Sequence, residues 1–199
     1  MLSGGRGASA WGLPERAAAK AAVDRLTRLQ PDFPAPGVLF RDMSPVLADA
    51  HGLRDVTMGL ATAVPKDGID LVAGLESRGF LFGAALALHL RTGVLAVRKP
   101  GKLPGDVITE SYDLEYGSAA LQLNPDDVPD GARVLIVDDV LATGGTAAAA
   151  AKLLIRAGAE LVGVAVVTEL PALRGRFAVR KAVRKSVPDL MILALTEAG

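Results

Sequence analysis

Residues 134–150 read VLIVDDVLATGGTAAAA. A Val/Ile/Leu run of strand character meets two adjacent aspartates, Asp138 and Asp139, and a turn of small residues then leads into a run of alanines. A continuous apolar run of this length suits a strand buried on both faces of a parallel sheet. Ala142, Thr143, Gly144, Gly145 and Thr146 fall where that strand turns into a helix. Small residues there let backbone N–H groups approach an anion closely, and the helix N-terminus adds positive potential. The hydroxyls of Thr143 and Thr146 can donate to phosphate oxygens or cap the helix. A carboxylate pair ending a buried strand is costly unless something satisfies it. Sugar hydroxyls and a magnesium ion both would, because carboxylates accept from hydroxyls and hard cations prefer oxygen. The stretch therefore offers an anion cradle beside a set of acceptors. Neither GxxxxGK[ST] nor a GxGxxG following a strand occurs in the chain.

Working outward, strands and helices alternate. IDLVAGL (69–75), GVLAVRK (93–99), RVLIVDD (133–139) and LVGVAVVTEL (161–170) read as strands, while 80–90 and 146–158 read as helices. This order predicts an α/β fold with a mostly parallel twisted sheet covered by helices on both faces. In such sheets ligands bind beyond the carboxyl ends of the strands. Glu76–Gly79, Arg98–Lys102 and Asp138–Thr146 all fall there. Pro14 opens a predicted helix that runs up to Pro31, and GVLF (37–40) is a candidate short strand in a proline-rich stretch. A further helix is predicted over 52–63, whereas 100–132 breaks the rhythm with glycines, prolines and mixed charge. Residues 1–13 read as a flexible leader and 14–199 as one domain.

Composition narrows the function classes. Hydrophobic residues make up 50% of the 199, charged residues 22%, and the formal net charge is zero, so nothing global argues for nucleic acid or an anionic membrane. The longest uncharged apolar stretch, 80–90, is well short of the about 18 residues of a membrane span. With no cysteine there is no disulfide framework, which fits a reducing, cytoplasmic setting. Two histidines are too few for a histidine-rich metal site, and His89, in an apolar helical stretch, reads as a core residue. Residues 174–185 carry six Arg/Lys and no acid, which reads as a solvated helix face.

VLIVDDVLATGGT resembles the phosphoribosyl-pyrophosphate motif of the type I phosphoribosyltransferases: a hydrophobic strand, two acids, then a T-G-G-T turn. PDFPAPGVLFRDMSPVL (31–47), AGLESRGFLFG (73–83), VRKPGKLPG (97–105) and SYDLEYG (111–117) are similar, in the same order, to segments of the adenine-specific members of that family. The likeness spans roughly residues 23–176. It implies the type I fold with a small base-binding hood and a mobile catalytic loop. It also implies transfer of a 5-phosphoribosyl group from phosphoribosyl pyrophosphate to adenine, giving AMP and pyrophosphate in purine salvage, with Mg2+ and a homodimer.

The resemblance also assigns roles. Ala142–Thr146 cradle the 5-phosphate, and Asp138 and Asp139 face the ribose hydroxyls. Metal is held mainly through substrate, with Asp138 the candidate further contact, directly or through water. Ser77, Arg78, Arg98, Lys99 and Lys102 receive pyrophosphate, Lys102 from a loop that can reach across a dimer. The Glu76-Ser77 turn holds a non-proline cis peptide in the family, and Glu76 stands where Asp is commoner. Leu39, Phe40 and Arg41 form the adenine pocket, with Phe40 stacked on the purine and the backbone of its neighbours reading the base edge. Glu115 handles a proton at adenine N7, which leaves Arg78, Glu115, Asp138 and Asp139 as the catalytic set. Tyr112 and Tyr116 cover the closed site. A transferase for a 6-oxopurine fits the LFRD and LEYG segments less well, and residues 1–30 are too few for the DNA-binding element of a regulator.

Overall fold

The structure, a computed structural model, describes residues 12–113 and 117–198. Helix α1 (Leu13–Leu26) carries Pro14 in its first turn, where a missing N–H costs nothing. It stops short of the predicted end because Thr27 turns extended and Arg28–Pro31 becomes strand β1. This strand pairs antiparallel with β2 (Leu39–Asp42), Arg28 opposite Asp42 and Pro31 opposite Leu39. Ribbon pairing thus overrides helical propensity for four residues. The connecting turn is fixed by the Asp32 carboxylate, which accepts from the Gly37 N–H at 2.7 Å. Short helix α2 (Ser44–Ala48) leads into α3 (Ala50–Ala61), whose Asp49 cap accepts from the Gly52 N–H at 2.7 Å.

The predicted alternation then follows: β3 (Leu71–Leu75), α4 (Arg78–Leu90) and β4 (Gly93–Val97). The irregular segment contains an antiparallel hairpin, β5 (Ile108–Asp113) and β6 (Ser118–Leu123), which the sequence did not reveal. After it come β7 (Arg133–Leu141), α5 (Gly145–Arg156), β8 (Glu160–Glu169), α6 (Gly175–Val183) and β9 (Met191–Glu197). The central sheet has the order β4-β3-β7-β8-β9 and is parallel throughout.

Alternate residues of β7 feed two cores. Val134 and Ile136 pack with Leu153, Leu154, Val179 and Val183 on the α5/α6 side. Leu135 and Val137 pack with Val23, Leu60, Phe82 and Leu86 on the α1/α3/α4 side. Both faces are covered, as the unbroken apolar strands require. His89 is not in either core but exposed, because the buried residues of α4 end at Ala87 and His89 lies in its last turn. No described helix is long and apolar enough to cross a membrane.

Candidate active site

From β3 the chain steps outward to β4, then returns so that β7 adds on the other side of β3. The strand order reverses between β3 and β7, and that is where an open α/β sheet leaves a crevice beyond its carboxyl ends. The β3–α4 turn and the β7–α5 turn flank it.

In the β7–α5 turn Gly144 adopts φ 85° and caps α5 without a side-chain hydrogen bond. The first N–H groups of α5 are therefore free to face a ligand. Neither Thr143 nor Thr146 caps the helix, and Thr146 Oγ1 instead lies 3.2 Å from the Tyr112 hydroxyl on β5. A small pocket is lined by Asp138, Val140 and the turn from Ala142 to Thr146. Helix α6 backs the turn: a Cβ on Gly144 would sit 2.4 Å from the Gly175 carbonyl, and one on Gly175 would sit 2.2 Å from the Ala142 carbonyl. Beside that contact Arg176 pairs with buried Glu169 at the end of β8 and donates to the Ile192 carbonyl.

The acidic pair does not end its strand, since Val140 and Leu141 extend β7 beside Thr168 and Glu169 of β8. Desolvation first, and the neighbouring Asp139 carboxylate second, hold the Asp138 carboxyl well above the ordinary carboxylate range. Its Oδ1 accepts from the Asp139 N–H at 2.8 Å. Asp139 is buried, and its Oδ2 lies 2.5 Å from Arg78 Nε, yet no donor hydrogen is aimed at that oxygen. The contact is one of charge, and the lone pairs stay available.

Arg78 opens α4, and the same guanidinium lies 5.2 Å above the Phe40 ring, which also meets Phe33 in a T-shaped contact at 5.0 Å between centroids. The structure thus brings Phe40 of β2, Arg78 and Asp139 into one chain of contacts. Leu39 is exposed beside them, and Arg41 is half-buried with an Nε that has no partner. The turn before Arg78 is not built on a cis peptide: among the described residues the only cis bond is Phe33–Pro34. The chain reverses instead through Ser77 at φ 46°, and the Gly79 N–H closes the turn onto the Glu76 carbonyl at 3.0 Å. A Cβ on Gly79 would lie 2.9 Å from Asp138 Oδ1, so α4 approaches the acidic pair only because this residue is glycine.

The longer reach of Glu76 has a use. Its Oε1 accepts from the Lys99 N–H at 2.6 Å and lies 3.7 Å from Arg98 Nε. Arg98 also stacks over Phe80 at 5.4 Å and exchanges backbone hydrogen bonds with Gln122 of β6. Gln122 Oε1 accepts from the Gly101 N–H at 3.1 Å. The basic turn 98–102 is thereby fastened on two sides, while Lys99 and Lys102 are exposed and make no ion pair among the described residues. Glu115 and Tyr116 lie outside the described residues. Nothing in the sequence patterning marks Gln122 or Glu169 as part of the site, and Gly175 and Arg176 stand out only as members of the basic stretch 174–185.

A dedicated metal cage is absent: the described residues hold no group of three or more His, Cys, Asp or Glu able to bind an ion. The pair Asp138/Asp139, with an Oδ2 lacking a hydrogen bond, suits a magnesium ion carried mainly by substrate oxygens and its own waters.

Comparison with known proteins agrees with this geometry. The phosphoribosyl transferase domain family matches residues 49–187. The adenine phosphoribosyltransferase of Nocardia farcinica is 59% identical over 155 residues, 77% of this chain and 80% of that protein. The crystal structure of the Rhodothermus marinus adenine phosphoribosyltransferase superposes with a TM-score of 0.82 at 41% identity, covering 92% of this chain and 99% of that one. The Saccharomyces cerevisiae enzyme, solved with an imino-altritol bisphosphate and adenine, gives 0.80 at 37% identity, covering 90% and 99%. With the match extending over most of its length, the chain belongs to the adenine phosphoribosyltransferases of the phosphoribosyl transferase domain family.

Proposed function

We propose that the chain transfers the 5-phosphoribosyl group of phosphoribosyl pyrophosphate to adenine, releasing AMP and pyrophosphate. The observation that carries this is the turn 142–146, free of side-chain caps, lying next to an acidic pair whose buried Asp139 Oδ2 is held by the Arg78 charge without an aligned hydrogen bond. That turn takes the 5-phosphate on the N–H groups of Gly145 and its successors, helped by the Thr143 and Thr146 hydroxyls. Asp138 and Asp139 accept from the ribose hydroxyls and favour positive charge developing on the ring. In the reaction the bond from C1 to the pyrophosphate oxygen breaks, the oxygen keeping the electron pair, and adenine N9 forms the new bond to C1.

Ser77, Arg78, Arg98, Lys99 and Lys102 receive the leaving group, arginine by two-pronged contact and lysine as a compact charge. Arg41 and Leu39 supply backbone to read the base edge, Phe40 supplies a ring face, and Glu115 takes up the one imidazole-ring proton of adenine, which reacts as its N7–H tautomer so that the N9 lone pair is free to bond to C1. Magnesium is the expected cofactor, held by pyrophosphate with Asp138 nearby through water, and it would neutralise charge on the leaving group. We also propose a homodimer in the cytoplasm. Supporting the dimer, the outward face of α4 leaves Leu81 54% and Leu88 81% exposed, with Val94 exposed on edge strand β4.

The test is to incubate the protein with phosphoribosyl pyrophosphate, magnesium and each purine base in turn, following nucleotide by chromatography. AMP from adenine is expected. Failure to form it, or faster turnover of hypoxanthine, would overturn the reading.

A further inference from the structure

Helix α6 turns Gly175, Val179 and Val183 inward and leaves Phe177, Arg180, Lys181 and Arg184 on its outer face. These positions are spaced i, i+3, i+4 and i+7, so they form one stripe about 10 Å long. Together with Arg174 they line an open groove of about 550 Å³. Its one carboxylate, Glu169, is already paired with Arg176. Arg174, Arg180, Lys181 and Arg184 have no carboxylate partner among the described residues. Phe177 is 68% exposed in their midst.

We infer that this groove is a second ligand site, distinct from the β3/β7 crevice, and that it takes a nucleoside polyphosphate. Four cations without a carboxylate partner along this groove, of which Arg180 spends only its Nε on the Leu190 carbonyl, match a short chain of phosphates, and arginine grips such oxygens in pairs. The single exposed ring matches a single base, because stacking on an aromatic face accepts any base. The groove volume lies within the range of small-molecule sites. A nucleic-acid polymer fits less well, since the chain has zero formal net charge and so no field to draw in a long polyanion. An acidic peptide would leave the aromatic face without a planar partner. The site stands independently of the adenine reading, as none of its outer-face residues has been placed in the crevice.

Photolabelling of the full chain with 8-azido-ATP, followed by peptide mapping, tests the placement. Label is expected on the peptides carrying residues 174–184. Equilibrium binding of ATP should weaken about tenfold in Phe177→Ala, the scale of one lost base stack. In the triple variant Arg180→Glu/Lys181→Glu/Arg184→Glu saturable binding outside the crevice should vanish. Both variants should retain wild-type rates of nucleotide formation, which shows that they fold. Label confined to peptides holding 39–41 or 138–146 would overturn the site. So would ATP binding untouched by the triple variant. Inorganic triphosphate binding as tightly as ATP would rule out the nucleoside part, and displacement by single-stranded oligonucleotides with affinity rising with length would assign the groove to a polymer.

Discussion

Asp138 stands beside a second carboxylate within strand β7, and burial together with the charge of Asp139 makes its carboxyl hold a proton more tightly than in the unfolded chain. The folded state therefore binds more protons than the unfolded one between the ordinary and the raised pKa. Stability is fully present below the ordinary value and falls as pH rises through the folded value. Asp138→Asn removes that loss. Its melting temperature should exceed wild type by a few degrees at neutral pH and converge with it in acid, in thermal scans across pH without ligand. Turnover with phosphoribosyl pyrophosphate should fall roughly 10²-fold, the scale for losing one positioned charge. An equal gain at every pH would refute the assignment of the cost to ionisation. The acids and the turn were readable in sequence because charge at the end of an apolar strand is anomalous by itself. Gln122 was not, since its role exists only once the β5–β6 hairpin carries it to Gly101.

Among the elements, the turn at 142–146 owes its shape to the helix behind it. Gly144 and Gly175 meet backbone to backbone, and a methyl group at 175 would collide with the Ala142 carbonyl. Gly175→Ala should raise KM for phosphoribosyl pyrophosphate at least tenfold while leaving KM for adenine within about twofold, and should destabilise the fold by about 1–3 kcal/mol. Steady-state kinetics with each substrate varied would check it; an equal rise in both constants would mean general disorder instead. Periodicity located α4, α5 and the four predicted strands to within a few residues, because those segments bury apolar faces on the sheet. It missed β1, the β5–β6 hairpin and β9. Arg28–Pro31 is exposed throughout, so no alternation marks it as a strand, and only the distant partner β2 makes it one.

For the whole molecule, alternating strands and helices announced a parallel sheet, but not the side of β3 on which β7 would add, and that choice creates the crevice. The same blindness to tertiary placement put His89 in the core. On that outer face, Leu88→Asp should leave the monomer folded, since the side chain is exposed, and should shift sedimentation from dimer to monomer. A wild-type chain that sediments as a monomer would refute the dimer. One guanidinium ties the two ends of the crevice together: Arg78 covers Phe40 and neutralises Asp139 at once. Any substrate that uses both Phe40 and Asp139 would therefore bind by exchange of partners with Arg78 instead of by filling a gap. A molecule that offers only a ring, or only hydroxyls, can replace one of those contacts and must leave the other competing against it. On that reading, discrimination against fragments of the substrate would be built into the Arg78 contacts.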